Sequence, residues 1–396
     1  MRENMKKPRI LYLSALPLGV GGIETHLLGL LEAVALQYET FLFAPAQSSF
    51  TKDALARKCQ VSFWQVEKTG DIRAWFTLFF FLRKVRPDIV HVHDARAASI
   101  LRPLAALFFN FPIINTVHLP PYYYQFEGKT ARLRARVYSM VEKFLNRTMT
   151  TKIIYVGKHV YEEALALGYA RLAQAELVEN GIDLTPFRID YTHRRKMLRT
   201  QTKTPLDMPV FVCVARLSSQ KRQDVLLHAA AILKKNGMVF HLWLVGEGPE
   251  RVALEQLSQE LSLSDIVIFH GSRTDIPALL AASDVFVLLS DYEGRTLSVM
   301  EAQAAGLPCI LSNVGDHPFM VQEGETGFIV PPRSPSAAAQ AMQKMLTSVP
   351  QRIEMGEKAK KYAFTHFDKE LQHKQSLNIY AALLEENGTI FSHSRE

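Results

Sequence analysis

The sequence is poor in cysteine, with three in 396 residues, at positions 59, 213 and 309. The number is odd and the positions are scattered, so neither a disulfide framework nor the paired spacing of a zinc site is available. Cys213 and Cys309 lie in the apolar runs VFVCVAR and LPCILSN, and all three cysteines, Cys59 included, read as buried structural thiols of a reducing compartment. Asp-x-Asp, the spacing with which many transferases hold a metal against a diphosphate, occurs nowhere. Long apolar runs are missing too. The most apolar stretch, AWFTLFFFL from Ala74 to Leu82, falls far short of the roughly 20 residues a spanning helix needs. It reads as a buried helix, with shallow membrane contact as the alternative. The first apolar run, RILYLSA, leads into a glycine loop, as a strand does and a signal peptide does not, so a cytoplasmic protein is expected.

Basic residues exceed acidic ones, 46 to 39, giving a formal charge of +7. That balance favours anionic partners, whether nucleotide diphosphates, nucleic acid or an acidic membrane surface, without choosing among them. The length suits two domains. In the first half the runs RILYLSA, ETFLFAP, VSFWQV, DIVHVHD, PIINTV and KIIYVG alternate with helix-length segments. The second half repeats the scheme with VFVCVAR, FHLWLVG, IVIFHG, DVFVLLS, PCILSN and GFIV. Near-continuous apolar runs separated by helices indicate parallel sheets covered on both faces. The expected fold class is therefore α/β, with two Rossmann-like doubly wound domains. The polar stretch Asp183 to Pro209 is read as the boundary, giving domains over 1–185 and 205–365 and a helical tail over 366–390. Doubly wound sheets bind ligands at the carboxyl ends of their strands, so two such domains would line one central cleft.

Chemistry-bearing residues cluster after the predicted strands. Gly19-Val-Gly-Gly-Ile-Glu-Thr-His26 follows the first strand, where glycines let the backbone and helix-start N–H groups approach a phosphate. A tight strand-to-helix turn is the plainer reading. A dinucleotide fingerprint would have glycine where Glu24 stands and an acid closing the second strand, where Ala44-Pro45 stands, so NAD is disfavoured. Arg216 and Lys221 follow a second-half strand and suit a diphosphate, one as a planar fork and the other as a point charge. Gly246-Glu-Gly-Pro249 is a turn in any fold. The most informative element is Ser290-Asp-Tyr-Glu293-Gly-Arg-Thr-Leu-Ser-Val-Met-Glu301-Ala-Gln-Ala-Ala-Gly306-Leu-Pro308. Glu293 occupies the turn before a helix and Glu301 lies about two turns into it. The free amides between them favour an anion, and a carboxylate suits the vicinal hydroxyls of a ribose. A glycosidase pair is the alternative, although such pairs usually come from separate strand ends. His118 closes another first-half strand; His91 and His93 read as structural.

Taken together these residues resemble the GT-B glycosyltransferases of family 4, over nearly the whole chain. The Glu293-x7-Glu301 element followed by EAQAAGLP is the most specific match. Arg216 with Lys221, Asn180-Gly181-Ile-Asp183 and Gly324-Glu-Thr-Gly327 add to it. The resemblance implies a retaining transferase that needs no metal or other cofactor. Its partners would be a nucleotide-sugar donor and a glycan or lipid-linked acceptor, and not nucleic acid. It implies that Gly21 and Gly22 approach the donor phosphates, that Arg216 and Lys221 neutralise the diphosphate, and that Glu301 holds the ribose. Glu293 would contact the donor sugar, with Gly294, Arg295, Thr296 and Leu297 also on the donor. The backbone around Arg273, Asp275 and Ile276 would meet the base, and His118 would stand beside the donor sugar and the acceptor. The tail, about Phe367 to Glu386, would cross back to the first domain. Where many relatives have Gly-Gly-x-Pro-Glu, this chain has Gly315-Asp-His-Pro-Phe319. A catalytically silent nucleotide-sugar-binding module and a nucleotide-sugar epimerase on the same fold are the alternative functions.

One further segment bears on where the protein works. Pro120 to Lys152 combines a tyrosine cluster, the cations Lys129, Arg132, Arg134, Arg136, Lys143 and Arg147, and a helical stripe of Leu133, Val137, Met140, Val141, Phe144 and Leu145. Either the stripe enters the core and the basic face is solvated, or the basic face meets anionic lipid at the inner face of a membrane.

Overall fold

The computed structural model describes residues 7–15, 22–45, 48–64, 71–118 and 131–388. Two compact units divide the chain. The first comprises residues up to Asn180 together with those from Glu370 onward, and the second runs from Gly181 to Lys369. Each is an α/β unit with its own core.

Seven strands build the first unit: β1 (Arg9–Leu13), β2 (Glu39–Ala44), β3 (Gln60–Phe63), β4 (Ile89–Val92), β5 (Ile113–Val117), β6 (Lys152–Tyr155) and β7 (Ala175–Leu177). Their order is β3-β2-β1-β4-β5-β6-β7, and every pairing is parallel. The central strands are buried end to end because helices cover both faces, so β4, for example, reads IVHV without polar alternation. All six predicted runs form strands. The unpredicted β7 is a three-residue edge strand, AEL, with a charged centre and no apolar run to announce it.

The second unit has β8 (Val210–Val214), β9 (His241–Val245), β10 (Val267–Gly271), β11 (Val285–Leu288), β12 (Cys309–Ser312) and β13 (Gly327–Val330). They are ordered β10-β9-β8-β11-β12-β13 and again all parallel. The chain winds outward from β8 in one direction and returns to β11 on its other side. The reversal between β8 and β11 leaves a crevice at their carboxyl ends, the usual ligand position of such sheets.

The stretch 183–209, read as the boundary, lies within the second unit. It contains helix Thr192–Gln201, whose basic residues are tied to the sheet. Arg199 is fully buried. It donates to Asp284 Oδ2 at 2.7 Å and to the Ala282 and Met208 carbonyls at 2.9 and 2.7 Å, while Arg195 pairs with Asp284 Oδ1 at 2.8 Å. The chain instead changes unit at Gly181, where an added Cβ would lie 2.6 Å from the Lys369 amide nitrogen, so only glycine allows this approach. The tail helix Lys369–Glu386 packs into the first unit: Leu383 and Leu384 join its core, and Tyr380 Oη lies 2.6 Å from His91 Nδ1. All three cysteines are free and buried, and burial pushes the Cys59 and Cys213 thiols up to about 12.

Two apolar features run against a simple core reading. In helix Ile72–Val85, Ala74, Leu78 and Leu82 are buried, but Phe76 and Phe80 are 62% and 65% exposed. In helix Ala131–Met149 the stripe does not enter the core. Leu133, Val137, Met140, Val141 and Phe144 are between 46% and 67% exposed, and only Leu145 is buried. The buried side of that helix carries Glu142, which accepts from both terminal nitrogens of the buried Arg102 at 3.0 Å. Lys129 and the tyrosine cluster lie outside the described residues. No helix among those described is long and apolar enough to cross a membrane.

Candidate functional site

In the second unit the predicted residues gather at the carboxyl ends of its strands. The loop after β8 carries Arg216 and Lys221, and the loop after β11 carries Ser290 and Glu293. These loops flank the strand reversal, and a hydrogen bond from Asp291 N to Gln220 O at 2.9 Å joins them. Lys221 Nζ donates to Glu293 Oε1 at 2.5 Å, and Ser290 Oγ donates to the same oxygen at 2.6 Å. Burial opposes ionisation of Glu293. The Lys221 ammonium, the nearby His317 and these hydrogen bonds outweigh it, so the carboxyl stays below its ordinary range. Arg216, by contrast, is exposed, and its guanidinium has no partner among the described residues. The β8 loop therefore offers one free and one paired cation.

Glu301 sits in helix Leu297–Ala304, which Thr296 precedes as the N-cap residue. Its carboxylate has no hydrogen-bond or ion-pair partner among the described residues, and burial alone pushes it up to about 7. The two acids of the Glu-x7-Glu element thus differ in state: Glu293 is ionised and clamped, whereas Glu301 titrates near neutrality and is open to a ligand.

Glycines hold these loops against one another. Gly315, at φ +51°, lies so close to the Glu293 carbonyl that a Cβ would fall 2.0 Å from its oxygen. Gly246, at φ +137°, makes the same approach to Ala215 O. The motif Gly246-Glu-Gly thus packs the β9 loop directly onto the Arg216 loop, a closer structural role than a generic turn.

Other predicted positions fall differently. Arg295 is buried, 3.7 Å from Asp316 Oδ2, and its guanidinium stacks over the Phe367 ring at 5.3 Å. Its side chain serves the packing of this loop. Asp316 belongs to the variant segment 315–319 and is that buried partner. Arg273 and Asp275 form a bidentate pair at 2.8 Å ahead of Ile276, which opens helix Ile276–Ala281 after β10. Gly294 and Thr296 lie between the two acids, and Leu297 begins the helix. His317 had no assigned role. It is buried, its Nδ1 donates to Ser312 O at 3.0 Å, and its Nε2 lies 3.4 Å from Thr296 Oγ1. A lone histidine at the start of the short helix His317–Met320 gives no signal of that placement in the sequence.

In the first unit Gly22 opens helix Gly22–Val34, while Gly21 lies outside the described residues. His118 follows β5. Its ring packs edge-on against His26, 4.9 Å between centroids, and 5.8 Å from His93. Burial holds His118, His93 and His26 well below the ordinary imidazole range, His26 at about 4. His91 is structural, as read: Tyr380 and Thr116 occupy both its ring nitrogens.

Two family models match the chain: "Glycosyltransferase Family 4" over residues 20–186 and "Glycosyl transferases group 1" over residues 194–362. The chain is 30% identical, over 66% of its own length and 66% of the relative's, to the UDP-Gal:alpha-D-GlcNAc-diphosphoundecaprenol alpha-1,3-galactosyltransferase of Escherichia coli. It is 31% identical to the GDP-mannose-dependent alpha-(1-6)-phosphatidylinositol monomannoside mannosyltransferase of Mycobacterium tuberculosis, over 52% of the chain and 55% of that protein. The match thus spans about half to two thirds of these relatives. Among solved structures, Anabaena Alr3699/HepE in complex with UDP and glucose superposes with a TM-score of 0.80 at 20% identity, covering 95% of this chain and 100% of that one. This last likeness shows the two-domain GT-B fold.

Proposed function

The chain belongs to glycosyltransferase family 4, and on that premise we propose that it moves a hexosyl group from a nucleoside-diphosphate sugar to a glycan or lipid-linked acceptor, with retention and without a metal. The observation that carries this reading is the contrast at the β8/β11 reversal: the Lys221–Glu293 pair, the unpaired Arg216 and the unpartnered Glu301. Charge develops on the leaving diphosphate and on the anomeric carbon. Arg216, Lys221 and the amides at the start of helix Leu297–Ala304 supply a fixed positive field for the diphosphate. Glu301 accepts from the ribose hydroxyls, Glu293 contacts the donor sugar, and His118 serves the acceptor side. Attack is assigned to the front face, with the acceptor hydroxyl approaching on the side from which the diphosphate departs.

The names of the relatives support a lipid-linked acceptor: one acts on a diphosphoundecaprenol-linked sugar and the other on a phosphatidylinositol mannoside. They differ in base and sugar, so a thermal-shift screen of UDP-, GDP- and ADP-sugars identifies this chain's donor. For the donor so found, calorimetry is expected to give the same dissociation constant in EDTA as in magnesium. Loss of binding in EDTA would overturn the metal-free assignment.

A lipid-linked acceptor calls for a membrane-facing surface. Helix Ala131–Met149 exposes five apolar side chains together with Arg134, Arg136 and Arg147, as an interfacial helix does. Each cation near an anionic surface contributes about 1 kcal/mol. Co-sedimentation with phosphatidylglycerol-containing vesicles is expected at low salt and is expected to fall at high salt. The M140E/F144E variant should pellet less. Wild-type protein that stays in the supernatant at low salt would exclude this surface.

A further inference from the structure

We propose that His26, His93 and His118 form a binding site for a zinc-like transition-metal ion within the first unit. One nitrogen from each ring can be chosen so that all lie within 4.8 Å of one another. The three residues come from separate places in the chain: helix Gly22–Val34, the end of β4 and the end of β5. In the parallel register of β4 with β5, Val92 pairs with Asn115, so His93 is level with Thr116 and His118 follows two residues on, both at the carboxyl edge.

The chemistry of the cluster fits a metal better than packing. His26 Nε2, both nitrogens of His93 and His118 Nε2 are enclosed and have no hydrogen-bond partner. A histidine that merely fills a core has its nitrogens bonded, as neighbouring His91 does, because an unmet polar atom costs about 1–3 kcal/mol. Burial keeps the rings neutral, which leaves a lone pair for a metal. His26 also has the outer contact typical of a ligand. The Asn180 side-chain carbonyl accepts from its Nδ1 at 2.9 Å, and the Gln372 amide abuts the same nitrogen at 2.5 Å. The Asn180 bond places the proton on Nδ1 and leaves the lone pair on Nε2, towards the enclosed side, whereas Gln372 Nε2 can only donate and competes for Nδ1.

Three imidazoles select zinc, cobalt, nickel or copper over magnesium or calcium. Zinc–nitrogen bonds of about 2.0–2.1 Å put tetrahedral ligand nitrogens roughly 3.3 Å apart. The rings must therefore draw in by about 1.5 Å at most. Three protein ligands leave a fourth position for water or an anionic ligand. This ion is separate from the diphosphate, which the cations of the second unit are proposed to hold without metal. The metal would engage His118, assigned above to the acceptor side, so binding is best read directly and not through turnover.

The test is a titration of the purified full chain with Co²⁺ at pH 7.5, followed by displacement with Zn²⁺. The expected result is one equivalent bound with the intense visible bands of four-coordinate cobalt, lost on adding zinc. X-ray absorption of the zinc form should show three imidazole ligands. Asn180→Ala should weaken zinc binding about 10- to 100-fold, the usual effect of removing an outer-shell partner. His93→Asn should abolish the bands, and circular dichroism confirms that the variant is folded. His159→Asn, which removes a half-buried histidine 3.7 Å from Glu163 and apart from the cluster, should leave them intact. Two results would overturn the proposal: no four-coordinate spectrum in the wild type at millimolar Co²⁺, or a zinc form whose absorption shows fewer than three imidazoles. Should His93→Asn not fold, the ligand count from the wild type decides alone.

Discussion

Lys221→Ala is expected to lower affinity for the nucleoside diphosphate about 10- to 100-fold, since a hydrogen bond to a charged group contributes about 1.5–3 kcal/mol. It should also destabilise the second unit. Lys221 and Glu293 are largely buried, with side-chain exposures of 17% and 7%. Removing the cation strands a buried carboxylate, which typically costs about 3–5 kcal/mol. The two effects separate in the double variant Lys221→Met, Glu293→Gln. That variant is expected to recover most of the stability in urea denaturation, because neither charge is then left alone, while affinity stays low. A Lys221→Ala protein with wild-type affinity and stability would remove this pair from the account.

Glu293 and Glu301 are expected to fail in different ways. Glu293→Gln should reduce kcat by about 10²-fold, the low end of what one preorganised electrostatic contact contributes, with little change in donor Kd. Glu301→Gln should chiefly raise the donor Kd. The pH dependence supplies an independent readout. Glu301 titrates at about 7, and its ionised form is the better acceptor for ribose hydroxyls. Donor affinity should therefore strengthen as pH rises from 6 to 8, and this slope should vanish in Glu301→Gln. Glu293 lies below its ordinary range and adds no slope in that window. The same kinetic signature in both variants, or a slope that survives in Glu301→Gln, would show the two roles to be wrongly divided.

What the sequence discloses follows from which signals are local. Twelve strands announce themselves as short apolar runs because parallel strands are covered on both faces. The edge strand β7 is paired on one side only and has no such run. The acids of the Glu-x7-Glu element are legible because their spacing and helix start are local facts. Their difference in ionisation is not, since it depends on Lys221, 72 positions from Glu293. Arg295 illustrates the converse: its sequence neighbourhood beside Glu293 gives no hint that Asp316 and Phe367, from more distant positions, lie against its side chain. The stripe of helix Ala131–Met149 has the periodicity of a core face. Periodicity shows that the residues share a side of the helix, not what covers that side. The polar stretch 183–209 reads as the domain boundary because composition counts its arginines as solvated, whereas Arg195 and Arg199 bind Asp284 and the carbonyls around it. His91 and His93 look alike in the strand; that Tyr380 of the tail helix bonds His91, while neither nitrogen of His93 has a partner, depends on residues far away in sequence.

The most direct measurement is acceptor-dependent release of nucleoside diphosphate in EDTA, by wild-type protein and by Glu293→Gln, with the product's anomeric configuration read by NMR. A lipid-linked or glycan acceptor is supplied with the donor found in the thermal-shift screen. The account predicts release by the wild type that rises with acceptor, a product that keeps the donor's configuration, and a rate about 10²-fold lower in Glu293→Gln. Tight donor binding without cleavage would identify a silent binding module, a changed sugar without transfer would identify an epimerase, and an inverted product would contradict front-face attack.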